Sequence, residues 1–511
     1  MDPELVDRLR IDLGAAEYRA SRVRALLGPD ADAARLRGVF APARRALEAR
    51  GASPLAALVR LLLLGEPVDS REVSLALPGL GADGAEALGL IVPAADGCWT
   101  AGLSLNPVEL ADAITDAPIE WWIISDLDDQ LRRGPARPDH VMGVGGATRS
   151  LVAQAPPRAS RRSLDLGTGC GIVALHLARR GPVVATDISE RALRLARANA
   201  RLNGAEELIE FRLGDLLEPV ADETFDLVLS NPPFVISPRD GAAPVYEYRD
   251  GGLSGDALAE RVVTETPAVL TAGGTLICLA NWETPWGGNG LERVQGWVAA
   301  AAASSGPLDA WIVERDRVAP SQYAETWARD GGARPGTPAF ETMLDAWLED
   351  FAGRSVVSIG LGSIRVRRAA SGSDTVVHAD QAVGAYAAEA LGRGLDAAFA
   401  AGVAASRMDD AAVLGARWIL DAAVSEEREH APGEEAPRAI ALTTDRPIAR
   451  RVAADPLLAA AVGACDGDLS LVQIADALAQ LLEVDAGAAR EALVAGAREL
   501  AWLGMLRPSD R

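Results

Sequence analysis

Two short stretches carry the residue types from which chemistry can be built. Leu164-Asp165-Leu166-Gly167-Thr168-Gly169-Cys170-Gly171 runs out of an apolar strand pattern into a helical one, Ile172 to Arg179. Glycines allow the sharp turn and let a ligand approach backbone with no Cβ in the way. The helix start behind them offers unpaired N–H groups to a carboxylate. A dinucleotide loop would need Gly-x-Gly-x-x-Gly, hence glycine where Ile172 stands, so this spacing suits a smaller ligand lying over the loop. The second stretch, Ser230-Asn231-Pro232-Pro233-Phe234, ends another apolar run. Its prolines fix the backbone and push the residue before each toward extended geometry. The Asn231 side-chain oxygen and a main-chain carbonyl are then held as two acceptors, suited to an N–H₂ group, with Phe234 free to stack on a flat partner.

Acids complete the pattern. Asp165 ends the first apolar run, Asp187 the second, and Gly214-Asp215 the third. Asp187 can accept hydrogen bonds from both hydroxyls of a ribose, and Asp215 is placed for an adenine amino group. One such acid alone is often a helix N-cap, and a lone Asn-Pro-Pro can be a turn. Three acids at successive strand ends, with Asn231 after the fourth, instead face one crevice of an open α/β sheet.

Those residues need a scaffold. Apolar strand patterns at 163–166, 183–186, 209–213, 227–229, 275–280, 311–313 and 355–367 alternate with helical stretches, predicting a largely parallel sheet covered on both faces. The last, alternating and late, reads as an antiparallel edge strand. The expected fold is α/β, a Rossmann-like seven-stranded sheet over 141–368. Residues 1–115 read as a helical, winged-helix-like domain and 116–140 as a linker. Residues 369–455 read as a mixed α/β extension and 456–511 as a helical, winged-helix-like unit. Such modules bind nucleic acid or protein, or merely pack, so their shape assigns no function. The acids Asp126, Asp128 and Asp129 lack the Gly turn and closing Glu of a calcium loop and read as a solvated linker edge.

Bulk composition narrows the classes. A chain of 511 residues exceeds one core. With 49% hydrophobic and 24% charged residues it is globular rather than disordered. A net charge of −22 argues against a long phosphate-tracking surface. No Lys occurs, so every basic side chain is Arg, as a GC-rich coding bias would produce. Cys98, Cys170, Cys278 and Cys465 form no Cys-x-x-Cys pair, and the few histidines are dispersed, so neither a metal site nor a disulfide framework is expected. The start lacks a signal-peptide pattern, and the apolar stretch near 55–64 contains Arg60 and is too short for a membrane span. A cytoplasmic protein with no membrane association is expected.

With these residues in view, 164–234 resembles the class I S-adenosylmethionine-dependent methyltransferases. The resemblance implies S-adenosyl-L-methionine as cofactor. Gly167, Thr168, Gly169 and Gly171 would hold its methionine part, with Asp165 beside the methionine amino group. Asp187 would hold the ribose and Asp215 the adenine, while Ile188, Leu216 and Asn231 complete the contacts. The Gly-rich 140–150 becomes a candidate lid. Asn231, Pro232 and Phe234 would bind the methyl acceptor, and transfer would be in-line displacement driven by positioning, with no covalent enzyme intermediate. Asn-Pro-Pro-aromatic serves enzymes acting on adenine N6, guanine N2 and the glutamine amide, so it defines the nitrogen rather than the molecule. Over about residues 140–300 the chain is similar to the HemK-type release-factor glutamine methyltransferases. Phe234 to Pro238, Tyr248-Arg-Asp-Gly-Gly-Leu-Ser-Gly-Asp256 and Leu270 to Thr275 carry that likeness. Phe234 stands where that branch has Tyr. A protein glutamine, for instance of a translation factor, is the leading acceptor, and an RNA or DNA amino group is the alternative. A small metabolite or a binding protein with a vestigial pocket fits less well, because the Gly loop, Asp187, Asp215 and Asn231 are all present.

Overall fold

The computed structural model describes residues 1–115, 117–132, 137–239, 251–330 and 333–509. Its centre is one sheet whose strands, in chain order, are β1 Ser163–Leu166, β2 Val183–Asp187, β3 Ile209–Leu213, β4 Phe225–Ser230, β5 Leu270–Pro285, β6 Leu308–Val318, β7 Val356–Arg368 and β8 Val376–Gln381. They lie side by side as β3-β2-β1-β4-β5-β7-β6-β8. The pairings from β3 across to β5 are all parallel, β7 is antiparallel to β5 and β6, and β8 is parallel to β6.

The sheet has eight strands where the strand patterns predict seven. Val376–Gln381 escapes notice because its Val-Val-His-Ala-Asp-Gln sequence is half polar and only half buried, as an edge strand allows. It also carries the sheet past Arg368. β7 is antiparallel as expected but lies inside the sheet, between β5 and β6, rather than at an edge. β5 continues to Pro285, well beyond 275–280, because Asn281, Trp282 and Glu283 pair with the first half of β7. Trp282 is fully buried there and donates to Glu314 at 3.2 Å, so a polar-looking segment is interior.

The chain leaves β1, β2 and β3 in one direction and returns to place β4 on the other side of β1. This reversal opens a crevice at the carboxyl ends of β1 and β4, where open α/β sheets bind ligands. The Ser230 hydroxyl donates to the Leu166 carbonyl across that gap at 2.9 Å.

Residues 1–115 are mostly helical and include a hairpin, Ile91–Pro93 with Trp99–Ala101. A second hairpin pairs Ser104–Leu110 with Ile119–Ser125, so part of the expected linker is a strand with Ile123, Ile124 and Ser125 buried. Helix Glu190–Leu202, which follows β2, grips that strand through two asparagines one turn apart. The Asn199 side chain accepts from the Ile124 N–H and donates to its carbonyl, both at 2.8 Å. Asn203 does the same to Trp122, at 3.0 and 2.8 Å. The N-terminal helices thus share one apolar core with one face of the sheet, while a second cluster built on Leu164, Phe225, Ile364 and Trp297 fills the other face. Asp126 is buried as well, accepting from the Val141 N–H at 2.8 Å and pairing with Arg191, against the expected solvated edge, whereas Asp129 is exposed as expected.

Beyond β8, helices Leu391–Arg407, Pro456–Gly463, Leu471–Leu481 and Ala486–Trp502 pack with two three-stranded sheets around Trp418 and Met505. Among the described residues no helix is long and apolar enough to cross a membrane.

Candidate functional site

The glycine loop joins β1 to helix Ile172–Leu177. Gly167, Gly169 and Gly171 all have left-handed φ, at +80°, +54° and +85°, a conformation that strains any residue with a Cβ. They differ in what surrounds them. A Cβ on Gly167 or Gly169 would meet nothing within 4 Å, whereas one on Gly171 would stand 2.9 Å from the Ala196 Cβ. The first two leave room above the loop for a ligand. The third lets the loop seat on helix Glu190–Leu202.

The acids frame this loop. Asp165 is 1% exposed and accepts from the Thr168 hydroxyl at 2.5 Å. Burial pushes its carboxyl up to about 7, helped by the nearby charge of Asp187 and opposed by the bonds from Thr168 and the Ala174 N–H. Asp187 ends β2 and accepts from the Gly169 N–H and the Ser189 N–H, both at 2.8 Å. It therefore shapes the loop, and a carboxylate oxygen can accept more than one hydrogen bond. Ile188 beside it is 69% exposed, an apolar face open to the crevice end of the sheet. Asp215, two residues past β3, is half exposed and pairs with Arg261 at 3.0 Å. Leu216 adopts φ +44°, and its carbonyl accepts from the Thr186 hydroxyl at 3.3 Å, fixing the turn that presents Asp215.

Asn231 follows β4. Its Nδ2 donates to the Thr148 hydroxyl at 3.1 Å, while its Oδ1 is shielded and has no partner among the described residues. A buried acceptor left unpaired costs free energy, about 1–3 kcal/mol, and such a group calls for an explanation. Pro232 is buried, and Phe234 is half-buried between the main core and a small cluster of Val235, Ile236, Tyr323, Trp347 and Phe351. The Tyr323 hydroxyl accepts from the Ile236 N–H at 3.1 Å and from Asn281 Nδ2 at 2.7 Å, which holds the chain after Phe234 in place.

The strands thus bring Asp165, the glycines, Asp187 and Asn231 to one crevice. Asp215 flanks it from the outer strand, already engaged by Arg261. Thr148 lies on helix Gly146–Ala153 within the candidate lid 140–150. Its contact with Asn231 spans 83 residues and left no local signal in the sequence. Of the stretch from Tyr248 to Asp256, residues Tyr248, Arg249 and Asp250 lie outside the described residues. Asp256 accepts from the Glu283 N–H at 2.9 Å and pairs with Arg293, which ties the start of helix Ala257–Glu265 to β5. Among the described residues no group of His, Cys, Asp and Glu could hold a metal ion.

Residues 142–306 match the methyltransferase small domain, and residues 15–101 match a domain of unknown function (DUF7059). A ribosomal protein uL3 glutamine methyltransferase of Bradyrhizobium diazoefficiens is 36% identical over 150 residues, 27% of this chain and 46% of that protein. A release factor glutamine methyltransferase of Xylella fastidiosa is 37% identical over 186 residues, 34% of this chain and 64% of that protein. The chain therefore spans about half to two thirds of the length of these curated relatives. Among solved structures, geranyl diphosphate C-methyltransferase from Streptomyces coelicolor A3(2) aligns with 43% of this chain and 75% of its own, at 14% identity and a TM-score of 0.27. Residues 142–306 thus form a methyltransferase domain, similar to the S-adenosylmethionine-dependent methyltransferases.

Proposed function

We propose that this protein transfers a methyl group from S-adenosyl-L-methionine to the side-chain amide nitrogen of a glutamine in a protein of the translation apparatus. One observation carries the reading: the shielded, unpartnered Oδ1 of Asn231 at the carboxyl end of β4, beside the glycine loop. An amide N–H is the group that this oxygen lacks.

The residues present fit the cofactor. Open space over Gly167 and Gly169 admits a ligand against the backbone, Asp165 offers a buried carboxyl to an amino group, and Asp187 places a carboxylate, the acceptor type a ribose hydroxyl needs, beside Gly169. When bound, S-adenosylmethionine supplies an electrophilic methyl group on a sulfonium. Asn231 Oδ1 accepts one N–H of the acceptor amide and orients its nitrogen. As positive charge grows on that nitrogen in the transition state, the same oxygen stabilises it and holds the proton until solvent removes it. Phe234 packs on the flat amide, and Pro232 keeps the Asn231 backbone from relaxing away.

The names of the relatives and the net charge of −22 favour a protein acceptor over nucleic acid. In this reading the helical, winged-helix-like flanks present the acceptor protein, and the reaction takes place in the cytoplasm. The test is transfer of labelled methyl to a cell lysate followed by protease or nuclease, with the methylated residue located by mass spectrometry. Label lost to protease and found on glutamine is the expected result. Label lost only to nuclease makes the acceptor an RNA or DNA amino group and retires the glutamine reading.

A further inference from the structure

Asn231 is a primary amide with two faces, and only the oxygen can serve the acceptor's N–H. Once an acceptor is bound there, Nδ2 becomes the remaining half of the amide and needs an acceptor of its own. The hydrogen bond found for Nδ2 goes to the Thr148 hydroxyl, 3.1 Å away. An amide Nδ2 only donates, so the Thr148 hydroxyl oxygen is the acceptor in this contact and stays so when Oδ1 is occupied.

Thr148 is itself held from a distance. It lies one turn into helix Gly146–Ala153, directly after a segment clamped to the second N-terminal hairpin. There the Asp126 N–H donates to the Val141 carbonyl at 3.0 Å, and the Val141 N–H returns a bond to the Asp126 carboxylate at 2.8 Å. We infer that Thr148 is a positioning residue for methyl transfer: with the acceptor in place its hydroxyl receives the Asn231 Nδ2–H and holds Oδ1 on the acceptor nitrogen. Its hydroxyl bonds the Asn231 side chain, so it acts through Asn231. This rests on the reading of Asn231 given above.

The experiment compares steady-state transfer by the full chain for wild type, Thr148→Val, Thr148→Ser, Asn231→Ala and the double variant N231A/T148V. Valine keeps the shape and removes the hydroxyl, while serine keeps the hydroxyl. Thr148→Val should lower kcat by about tenfold or more, as expected for a buried N–H₂ left unpaired. Its affinity for S-adenosylmethionine by calorimetry should stay within about twofold of wild type, and Thr148→Ser should restore at least about half the rate. In the Asn231→Ala background, Thr148→Val should change kcat by less than about twofold, because its target is gone. A full loss in that background, or wild-type kcat in Thr148→Val, overturns the positioning role. If the wild type labels nucleic acid instead, the glutamine reading falls alone, and the same ratios measured on that acceptor still decide the role of Thr148.

Discussion

Cofactor affinity should depend on pH through Asp165, in a direction and amount that follow from its burial. The carboxyl stands at about 7 against an ordinary 3.8 because it is shut away from water, with Thr168 and Ala174 unable to compensate fully. A methionine amino group needs the ionised form as its partner. The ionised fraction is about one in ten at pH 6 and about nine in ten at pH 8, and apparent affinity scales with that fraction. With the amino group itself partly deprotonated at pH 8, binding should weaken roughly three- to fivefold from pH 8 to pH 6. Above about pH 8 it should weaken again, as an α-amino group loses its own proton. Binding at pH 6 should also release about 0.9 proton, which calorimetry in buffers of different ionisation enthalpy reads directly. The stability sign is the reverse. A raised carboxyl binds a proton in the folded state that the unfolded chain has released, so its contribution is lost as pH rises from 3.8 to about 7. At a shift of about three pH units that loss is on the order of 4 kcal/mol. Asp165→Asn removes the titration, so its stability relative to wild type should climb between pH 4 and 7 and then level off. Wild-type affinity that is flat from pH 5.5 to 7.5, or an Asp165→Asn variant with the same slope, would refute the assignment.

Three further outcomes follow from contacts at the crevice. Asn231→Ala should cut kcat by about a hundredfold while S-adenosylmethionine affinity by calorimetry changes less than about twofold, since the unpartnered Oδ1 is the atom proposed to meet the acceptor. Equal losses in both would remove Asn231 from the acceptor site. Asp187→Ala deletes the carboxylate that holds the Gly169 and Ser189 amides as well as the proposed ribose contact. Cofactor affinity should fall at least about thirtyfold, and unchanged binding in a titration counts against that role. Gly171→Ala should lower the thermal midpoint by more than Gly169→Ala, because only the former drives a methyl into Ala196. The two share a left-handed φ, so a larger loss in Gly169→Ala would contradict the packing account.

The loop, Asp187 and the Asn-Pro-Pro turn are legible in the sequence because each is local: a strand, a tight turn and a helix written in consecutive residues. The parallel strands near the crevice are legible for the same reason, as short apolar runs spaced by helices. What escapes is whatever is decided by a partner far along the chain. The upper half of β5 reads as loop because Asn281, Trp282 and Glu283 are polar or aromatic, yet the facing strand and Glu314 make it interior. Strand Ile119–Ser125 hides beside Asp126, whose burial is settled by Arg191 and Val141. Arg261 reaches Asp215 from 46 residues away, and no periodicity marks that pairing.

The paired asparagines of helix Glu190–Leu202 hold the N-terminal hairpin much as a neighbouring strand would, and Asn199 Nδ2 also reaches the Cys170 carbonyl at 2.8 Å. One side chain thus fastens the glycine loop to a strand near residue 124. The sheet domain and this hairpin are in this respect not separable modules. A protein trimmed to its catalytic stretch would keep Asn199 on the Cys170 carbonyl but leave its oxygen without the Ile124 N–H. Both asparagines meet backbone groups of Trp122 and Ile124, so this contact constrains the two amides and the path of the hairpin rather than the hairpin's side chains.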